Sequence, residues 1–166
     1  MENKGVANGD KERISLEHTE RYAIYGVVSV LDEDEYRRWM RSSKGALNSA
    51  EGDLERKDYN WACFKAQQSA ELAVKALLHG LGLPTYGHSV SGLLERLPKD
   101  LGTEQVIQDA KTLDKYYVPT RYPNAWVEGT PEDYYTKEDA EKAIKCAEKV
   151  VNWVEASWRS LKGERS

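Results

Sequence analysis

One arginine, Arg121, stands in a stretch rich in aromatic rings and prolines, VPTRYPNAWVEGTPEDYY at residues 118–135. Three of the chain's five prolines fall there, and Tyr117, Tyr122 and Trp126 supply rings on both sides of the arginine. A guanidinium binds phosphate through paired hydrogen bonds, and an aromatic ring stacks on a nucleotide base. The pattern predicts an ordered loop that holds a nucleotide or RNA, with Arg121 on the phosphate and a tyrosine or tryptophan on the base.

The same loop also has a purely structural interpretation. Its rings could cover the end of a helical domain, while Arg121 bonds loop carbonyls or a carboxylate such as Asp133. Fixed proline φ angles and packed rings would order the loop in either case. Both interpretations stay open on the sequence.

Proton transfer is the second requirement for chemistry on RNA. Cleavage without a metal ion needs a base for the 2′-hydroxyl, an acid for the leaving oxygen and a cation on the phosphate. Histidine suits the proton transfers near pH 7, whereas arginine stays protonated. A ribonuclease would need His79, His88 or a tyrosine beside Arg121, from this chain or a second subunit. Structural roles are the alternative: His79 as a partner of a helix dipole, and His88 in a GHS turn bonded to backbone.

Polar side chains recur at helical spacing in YNWACFKAQQSAELAVKALLHGLG, residues 59–82. Lys65, Gln68 and Lys75 share a side of this predicted central helix with apolar residues. Together with Glu71 they could line a groove that accepts nucleotide phosphates. Alternatively they satisfy one another, or a partner chain at a dimer seam, while the lysine stems cover apolar surface.

The composition is that of a soluble globular protein of one domain. The 166 residues are 40% hydrophobic and 31% charged, enough to bury a core. The net charge of −4 argues against broad, sequence-indifferent binding to nucleic acid. Cys63 and Cys146 fall in helical patterns without metal-ligand spacing, which predicts buried thiols. We therefore expect neither a metal ion nor another cofactor.

No segment has the pattern of a membrane span. The apolar run Tyr22–Leu31 is ten residues long and follows about twenty mostly polar ones. It is too short to cross a bilayer and lies too far from the first residue for a signal peptide. We expect a cytoplasmic protein that does not associate with a membrane.

Helical periodicity dominates the chain from residue 32 onward. We divide the chain into an N-terminal arm at residues 1–31, whose part Arg21–Leu31 is predicted as a short strand or extended segment lying on the bundle, and a helical domain at residues 32–162. Signals for four or five helices follow: Asp32 with Glu35, Asp58, the segment Val90–Leu97, Thr103, and Thr136 with Asp139. The prediction is an all-α bundle with an irregular N-terminal arm.

Two segments in this order resemble the HEPN-domain family, the higher eukaryotes and prokaryotes nucleotide-binding class. They are WACFKAQQSAELAVKALL with the following GHSVSGLLERL, and LDKYYVPTRYPNAW. With the amphipathic last helix, the resemblance covers about residues 33–160. It implies an up-and-down helical bundle that forms homodimers. Many prokaryotic members are encoded beside a small nucleotidyltransferase and act with it as toxin and antitoxin, so the resemblance also implies such a partner.

Some members of this family are metal-independent ribonucleases that use an Arg-x4–6-His motif. Arg121 lies in the corresponding region, but Trp126, Val127 and Glu128 stand where the histidine would be. A literal match, Arg13 followed by His18, lies in the polar arm, where we take it as coincidence. The expectation is therefore a non-catalytic module that binds a nucleotide, RNA or a partner protein. Its candidate ligand-binding residues are Arg121, Tyr122, Trp126, Tyr117, Lys65, Gln68 and Lys75. The alternatives are an endoribonuclease using Arg121 and a purely structural dimerisation module.

Overall fold

The computed structural model describes residues 21–24 and 27–164, and most of this part of the chain is helical. Its helices are α1 (Glu33–Arg56), α2 (Tyr59–Gly80), α3 (Val90–Leu94), α4 (Ile107–Asp114) and α5 (Lys137–Leu161). The all-α bundle of four to five helices is confirmed. Residues 1–20 of the predicted arm lie outside the described residues.

The segment ahead of the bundle, predicted as a short strand or extended segment, contains two strands. Strands β1 (Arg21–Ile24) and β2 (Val27–Val30) pair in antiparallel register. Leu31 follows β2 and is buried in the core, and the backbone N–H of Asp32 donates to the carbonyl of Gly80 at 2.8 Å. The chain therefore enters the bundle beside the end of α2. The domain boundary at residue 31 stays a prediction.

Helices α1 and α2 form a helical hairpin with a tight connection. The Asp32 carboxylate accepts from the backbone N–H of Glu35 at 3.0 Å, so α1 begins at the predicted cap. At the other end Lys57 adopts a left-handed conformation with φ +67°. Asp58 holds the predicted N-cap position of α2. Within the described chain its side chain makes no capping bond, and it lies 3.5 Å from Nε of Arg56 instead.

Small side chains on α2 allow α1 and α5 to pack closely against it. The fully buried alanines of this helix are Ala62, Ala66, Ala70, Ala73 and Ala76. One side of α5, the amphipathic last helix, is also buried, at Ala140, Ile144, Ala147, Val151, Val154 and Trp158. The predicted capping box of Thr136 and Asp139 opens that helix. Among the described helices, none carries an apolar stretch long enough to cross a membrane.

The start of α1 and the end of α5 are joined through Trp158. Its indole ring stacks on Tyr36, with the ring centres 4.1 Å apart and the planes 9° from parallel. Its Nε1 donates to Oε2 of Glu33 at 2.8 Å. A buried aromatic pair with its polar edge satisfied fixes where the two helix ends meet.

The two short helices differ from the predictions. The helix expected at Val90–Leu97 ends at Leu94, because the backbone tightens into i→i+3 turns from Leu94 to Leu97 ahead of Pro98. Thr103 does not cap α4. It opens a separate 3-10 turn, Thr103–Gln105, and α4 begins at Ile107.

Asp114, the last residue of α4, clamps the start of α3. Its carboxylate accepts from the backbone N–H groups of Val90 at 2.6 Å and Ser91 at 3.2 Å, and from Oγ of Ser89 at 2.9 Å. Charged acceptors at exposed N–H groups of a helix start are among the stronger hydrogen bonds in proteins. This clamp brings residue 88 toward the turn that follows α4.

Candidate functional site

The loop of residues 118–135 is ordered by its own packing, as its composition predicts. It contains two 3-10 turns, Pro123–Ala125 and Pro131–Asp133. Trp126 stacks on Tyr134 at 4.0 Å between ring centres, and its Nε1 donates to the carbonyl of Pro119 at 2.8 Å. The loop is therefore held together by contacts among its own residues.

Asn60 in the first turn of α2 attaches this loop to the bundle. Its side-chain amide is buried and donates to the carbonyl of Thr120 at 3.0 Å. The Thr120 hydroxyl, also buried, donates to the carbonyl of Tyr116 at 2.7 Å. A buried backbone carbonyl needs such a partner, so the bond fixes the residue directly before Arg121.

The guanidinium of Arg121 lies among three aromatic rings. Its Cζ is 4.2 Å from the ring centre of Phe64, 4.7 Å from that of Tyr117 and 4.9 Å from that of Tyr122. Its Nε donates to the carbonyl of Tyr117 at 2.9 Å. In the described part of the chain, the two terminal nitrogens have no hydrogen-bond acceptor. Arg121 is half-buried, and its terminal nitrogens are not among the described side-chain atoms that are buried without a partner, so solvent reaches them.

A second polar cluster lies further along α2, around Glu71. This carboxylate is almost fully buried and accepts from Lys75 at 2.8 Å, from Gln67 and Gln68 at 3.2 Å each, and from Nδ1 of His88 at 3.1 Å. A buried carboxylate needs this number of partners to offset the loss of hydration. Glu71 thus gathers side chains from α2 and from the loop after it. We call these five residues the Glu71 cluster.

His88 connects the Glu71 cluster to the arginine. Its ring stacks on Tyr117, with the ring centres 4.7 Å apart and the planes 14° from parallel. Tyr117 is therefore in contact with both His88 and Arg121. We call Phe64, His88, Tyr117, Arg121 and Tyr122 the Arg121 site. The His88 side chain is 58% exposed, so this side of the site is open to solvent.

The structure brings together part of the predicted site. Arg121, Tyr117 and Tyr122 meet in the Arg121 site, and Gln68 and Lys75 meet at Glu71. The structure positions the other two candidates elsewhere. Lys65 pairs with the buried Asp53 of α1, at 2.7 Å between Nζ and Oδ2. Trp126 has one ring face against Tyr134 and its edge near Tyr135.

Both interpretations of Arg121 contribute to the observed arrangement. The arginine bonds a loop carbonyl, as the structural interpretation expects, yet its outer nitrogens face solvent. The Asp133 carboxylate accepts from the backbone N–H of Thr130 at 2.8 Å and is not a partner of Arg121. The expectation that His88 bonds backbone was wrong, because its ring nitrogen bonds the Glu71 carboxylate, which the sequence does not place near it.

His79 is the last residue but one of α2, as expected for a partner of the helix dipole, but burial favours its neutral form. Desolvation lowers the pKa of the imidazole, although Glu35 acts in the opposite direction. The ring stacks on Trp39 at 4.4 Å between centres. A neutral imidazole stabilises a helix C-terminus less than a charged one, so packing on Trp39 is its clearer role.

Several other titratable groups are held in their neutral forms. Burial raises the pKa of Cys63 to about 12 and that of Cys146 to about 11, which fits the predicted buried thiols. Burial also raises the pKa of Tyr116 to about 12. These groups do not exchange protons near pH 7. Within the described residues, no three His, Cys, Asp or Glu side chains are grouped as metal ligands.

This helical bundle is similar in fold to solved HEPN proteins from an archaeon and from Thermotoga maritima. The model of the HEPN domain family matches residues 36–157. The chain belongs to the HEPN domain family.

Several individual proteins are also similar to this chain. The crystal structure of TT1696 from Thermus thermophilus is 43% identical, with a TM-score of 0.72 over 74% of this chain and 98% of that one. "Putative toxin MJ1304" of Methanocaldococcus jannaschii is 30% identical over 129 residues, 68% of this chain and 85% of that protein. Human sacsin is 28% identical over 129 residues, which are 74% of this chain but only 3% of sacsin.

Proposed function

We propose that this HEPN domain is a non-catalytic binding module whose Arg121 takes the phosphate of a nucleotide or RNA. The proposal rests on one observation: Arg121 is held by three rings and a carbonyl, while its terminal nitrogens have no acceptor among the described residues. An arginine oriented in this way loses little freedom on binding, and its planar end matches two phosphate oxygens.

Exposed rings beside the arginine support a nucleotide as the source of that phosphate. Tyr122 is 47% exposed and lies against Arg121, and Trp61 is 40% exposed and meets Phe64 edge-on. Either ring offers a face for base stacking. The protein has a net charge of −4, and the Glu132 carboxylate lies 3.5 Å from the Asn60 amide that holds this loop. Negative charge repels a long polyanion more than a single nucleotide, so these features favour a ligand with one or two phosphates.

Binding of a fluorescent ATP analogue and of a short single-stranded RNA, followed by fluorescence anisotropy, tests this proposal. Arg121→Ala removes the charge and both bidentate donors, so we expect affinity to fall roughly tenfold or more. Arg121→Lys should recover little, because an ammonium cannot replace the planar fork. Lys115→Ala is the matched control, since it removes an exposed positive charge six positions away. Equal loss in both alanine variants would leave only non-specific electrostatics.

We propose further that the module works as a homodimer and as one member of a toxin–antitoxin-like pair with a nucleotidyltransferase. The similarity to an archaeal protein named as a toxin supports a toxin-type setting. A groove of about 310 Å³ between α1 and α2, lined by Arg38, Trp39, Ser42 and Leu72, supports an interface on that face.

Sedimentation and co-purification test these two assemblies. Leu72→Glu should shift a dimer to monomer, whereas Gln108→Glu, on the exposed side of α4, should leave the mass unchanged. Co-expression with a nucleotidyltransferase-like protein encoded beside the gene should yield a stable complex. A monomeric wild type that captures no such protein contradicts both proposals.

A second candidate function, a metal-independent endoribonuclease, is favoured by the position of His88. This imidazole and Arg121 border the same Tyr117 ring, and Glu71 holds Nδ1 so that Nε2 faces outward. A phosphate-binding cation and an oriented imidazole supply two of the three groups needed to cut RNA without metal, and the second proton-transfer group would have to be a tyrosine of the site or a residue of a second subunit. Cleavage of RNA in EDTA by wild type, lost in Arg121→Ala and in His88→Ala, would establish it. Absence of cutting by wild type leaves the binding module.

Absence of both ligand binding and RNA cleavage has a definite meaning. A wild-type protein that binds neither probe, cuts no RNA and still sediments as a dimer would be a purely structural dimerisation module. In that case the aromatic loop would serve only to cover the bundle.

A further inference from the structure

Glu71 does not touch Arg121, yet an unbroken series of contacts connects them. The carboxylate bonds His88 at 3.1 Å, the His88 ring stacks on Tyr117 at 4.7 Å, and Tyr117 holds Arg121 through its ring and its carbonyl. Each contact in this series is directional. Displacement of one member therefore changes the orientation of the next.

Glu71 is the fixed end of this series. Its side chain is only 5% exposed and sits in the middle of α2, the central helix of the bundle. Oε1 accepts from Lys75 and His88, and Oε2 accepts from Gln67 and Gln68, so neither oxygen is free to rotate away. The other end of the series is a half-buried arginine on a surface loop.

The loop that carries His88 is held at the same point by a second bond. The Gln67 amide donates to the backbone carbonyl of His88 at 2.9 Å as well as to Glu71. Both the main chain and the ring of His88 are thus bonded to residues of α2. The His88 ring that stacks on Tyr117 is therefore positioned by the central helix.

We propose that Glu71 is a positioning residue for the Arg121 site: through His88 and Tyr117 it sets the orientation of the guanidinium. The effect of Glu71 on ligand affinity rests on the proposed phosphate-binding function, whereas its effect on the orientation of Arg121 does not. The role differs from a general contribution to folding because it runs through His88, which is more than half exposed and contributes little to the core.

The Nε–H of Arg121 reports the arginine's orientation directly. In wild type this proton bonds the Tyr117 carbonyl and lies near three ring faces, so its NMR resonance should be ring-current shifted and its exchange with solvent slow. In Glu71→Gln we expect the resonance to move toward those of the exposed arginines. Exchange should become roughly tenfold faster, as when one member of a hydrogen-bonded network is removed. Glu51→Gln, an exposed carboxylate on α1, is the control and should change neither quantity.

His88→Phe separates positioning from stability. Phenylalanine keeps a ring for Tyr117 but has no nitrogen for Glu71, so it removes the connection and leaves the core intact. It should reproduce the change in the Arg121 resonance, and adding Glu71→Gln to it should change that resonance no further. An additional change in the double variant as large as that caused by Glu71→Gln in wild type would overturn the proposal, because Glu71 would then act by another route.

Ligand titration completes the experiment with the fluorescent ATP analogue as probe. If wild type binds it, Glu71→Gln and His88→Phe should each weaken affinity roughly fivefold, and the pair together no more than either alone. If wild type does not bind it, the proposed function fails while the resonance data still decide the role of Glu71. Unshifted Arg121 resonances in a folded His88→Phe variant would refute the positioning role whatever the ligand does.

Discussion

Gly80 lies directly against the indole ring of Trp158. A Cβ atom on Gly80 would be 2.4 Å from Cζ3 and 2.5 Å from Cη2 of that ring, closer than any unstrained contact. The same indole stacks on Tyr36 and bonds Glu33, so it cannot move aside freely. The last residue of α2 is a glycine because α5 passes through the space a side chain would occupy.

Gly80→Ala should therefore destabilise the bundle despite alanine's higher helix propensity. We expect a loss of about 1–3 kcal/mol in the free energy of unfolding, the usual cost of overpacking a core. Gly45→Ala is the matched control, because nothing lies within 4 Å of a Cβ there. That variant should gain about 0.5–1 kcal/mol from helix propensity alone. Urea denaturation followed by circular dichroism measures both, and equal effects of the same sign would contradict the prediction.

Acid should destabilise the corner around Glu33. Burial raises the pKa of this carboxyl, but hydrogen bonds from Arg37 and Trp158, and the charge of Lys162, outweigh it and bring the pKa below 4.5. A carboxyl with a lowered folded pKa stabilises the protein above its unfolded pKa and loses that contribution as pH falls through the folded value. Melting curves between pH 7 and pH 3 should show a smaller acid loss in Glu33→Gln. Asp34→Asn in the same turn should retain the wild-type loss.

His79 should add a second pH dependence at a higher pH. Its folded pKa is lowered below 6.5 by burial, so the unfolded chain binds the proton more readily than the folded one. Stability is then complete above pH 6.5 and falls as pH drops through that value towards the folded pKa. His79→Phe, which keeps a ring on Trp39, should remove this part of the decline between pH 7.5 and 5.5. An unchanged decline in the variant would assign it to other groups.

Tyr122 and Trp126 should separate binding from structure. Tyr122 is exposed beside Arg121, whereas Trp126 stacks on Tyr134 and bonds the Pro119 carbonyl. Tyr122→Ala should weaken binding of the ATP analogue by roughly 1–3 kcal/mol of stacking energy and leave the melting temperature unchanged. Trp126→Phe should lower the melting temperature because its hydrogen bond is lost. The reverse pattern would restore Trp126 as a ligand-binding residue.

The fold could be predicted from the sequence because its signals are local. The inward sides of α1 and α5 follow the helical period, and the caps Asp32 and Thr136 act within three residues of themselves. The errors at Thr103 and after Leu94 arise where 3-10 turns compete with α-helix. Such turns use the same residue types, and the difference is set by packing that a local pattern does not contain.

The candidate site could be predicted only where its members are close along the chain. Tyr117 and Tyr122 flank Arg121, and Gln68 and Lys75 stand one turn from Glu71. His88 lies 17 residues after Glu71, across a loop, and spacing gives no indication that they bond. Lys65 does not join the Glu71 cluster because it pairs with Asp53, a carboxylate from another helix that helical spacing does not reveal. Phe64 was missed as a site residue for the same kind of reason, because its contact with Arg121 joins distant parts of the chain.

The clamp at Asp114 has a consequence for how this domain tolerates changes in length. Asp114 bonds Ser89, Val90 and Ser91, so the position of His88 is fixed by the residues that follow it in the chain. Residues added between 82 and 86 would extend outward and leave the imidazole of His88 where it is. A single residue added between Asp114 and Tyr117 would turn the phenol ring away from that imidazole. The segment at residues 82–86 should therefore tolerate insertions, whereas the connection from Asp114 to Tyr117 should not, because its length sets the position of the Tyr117 ring.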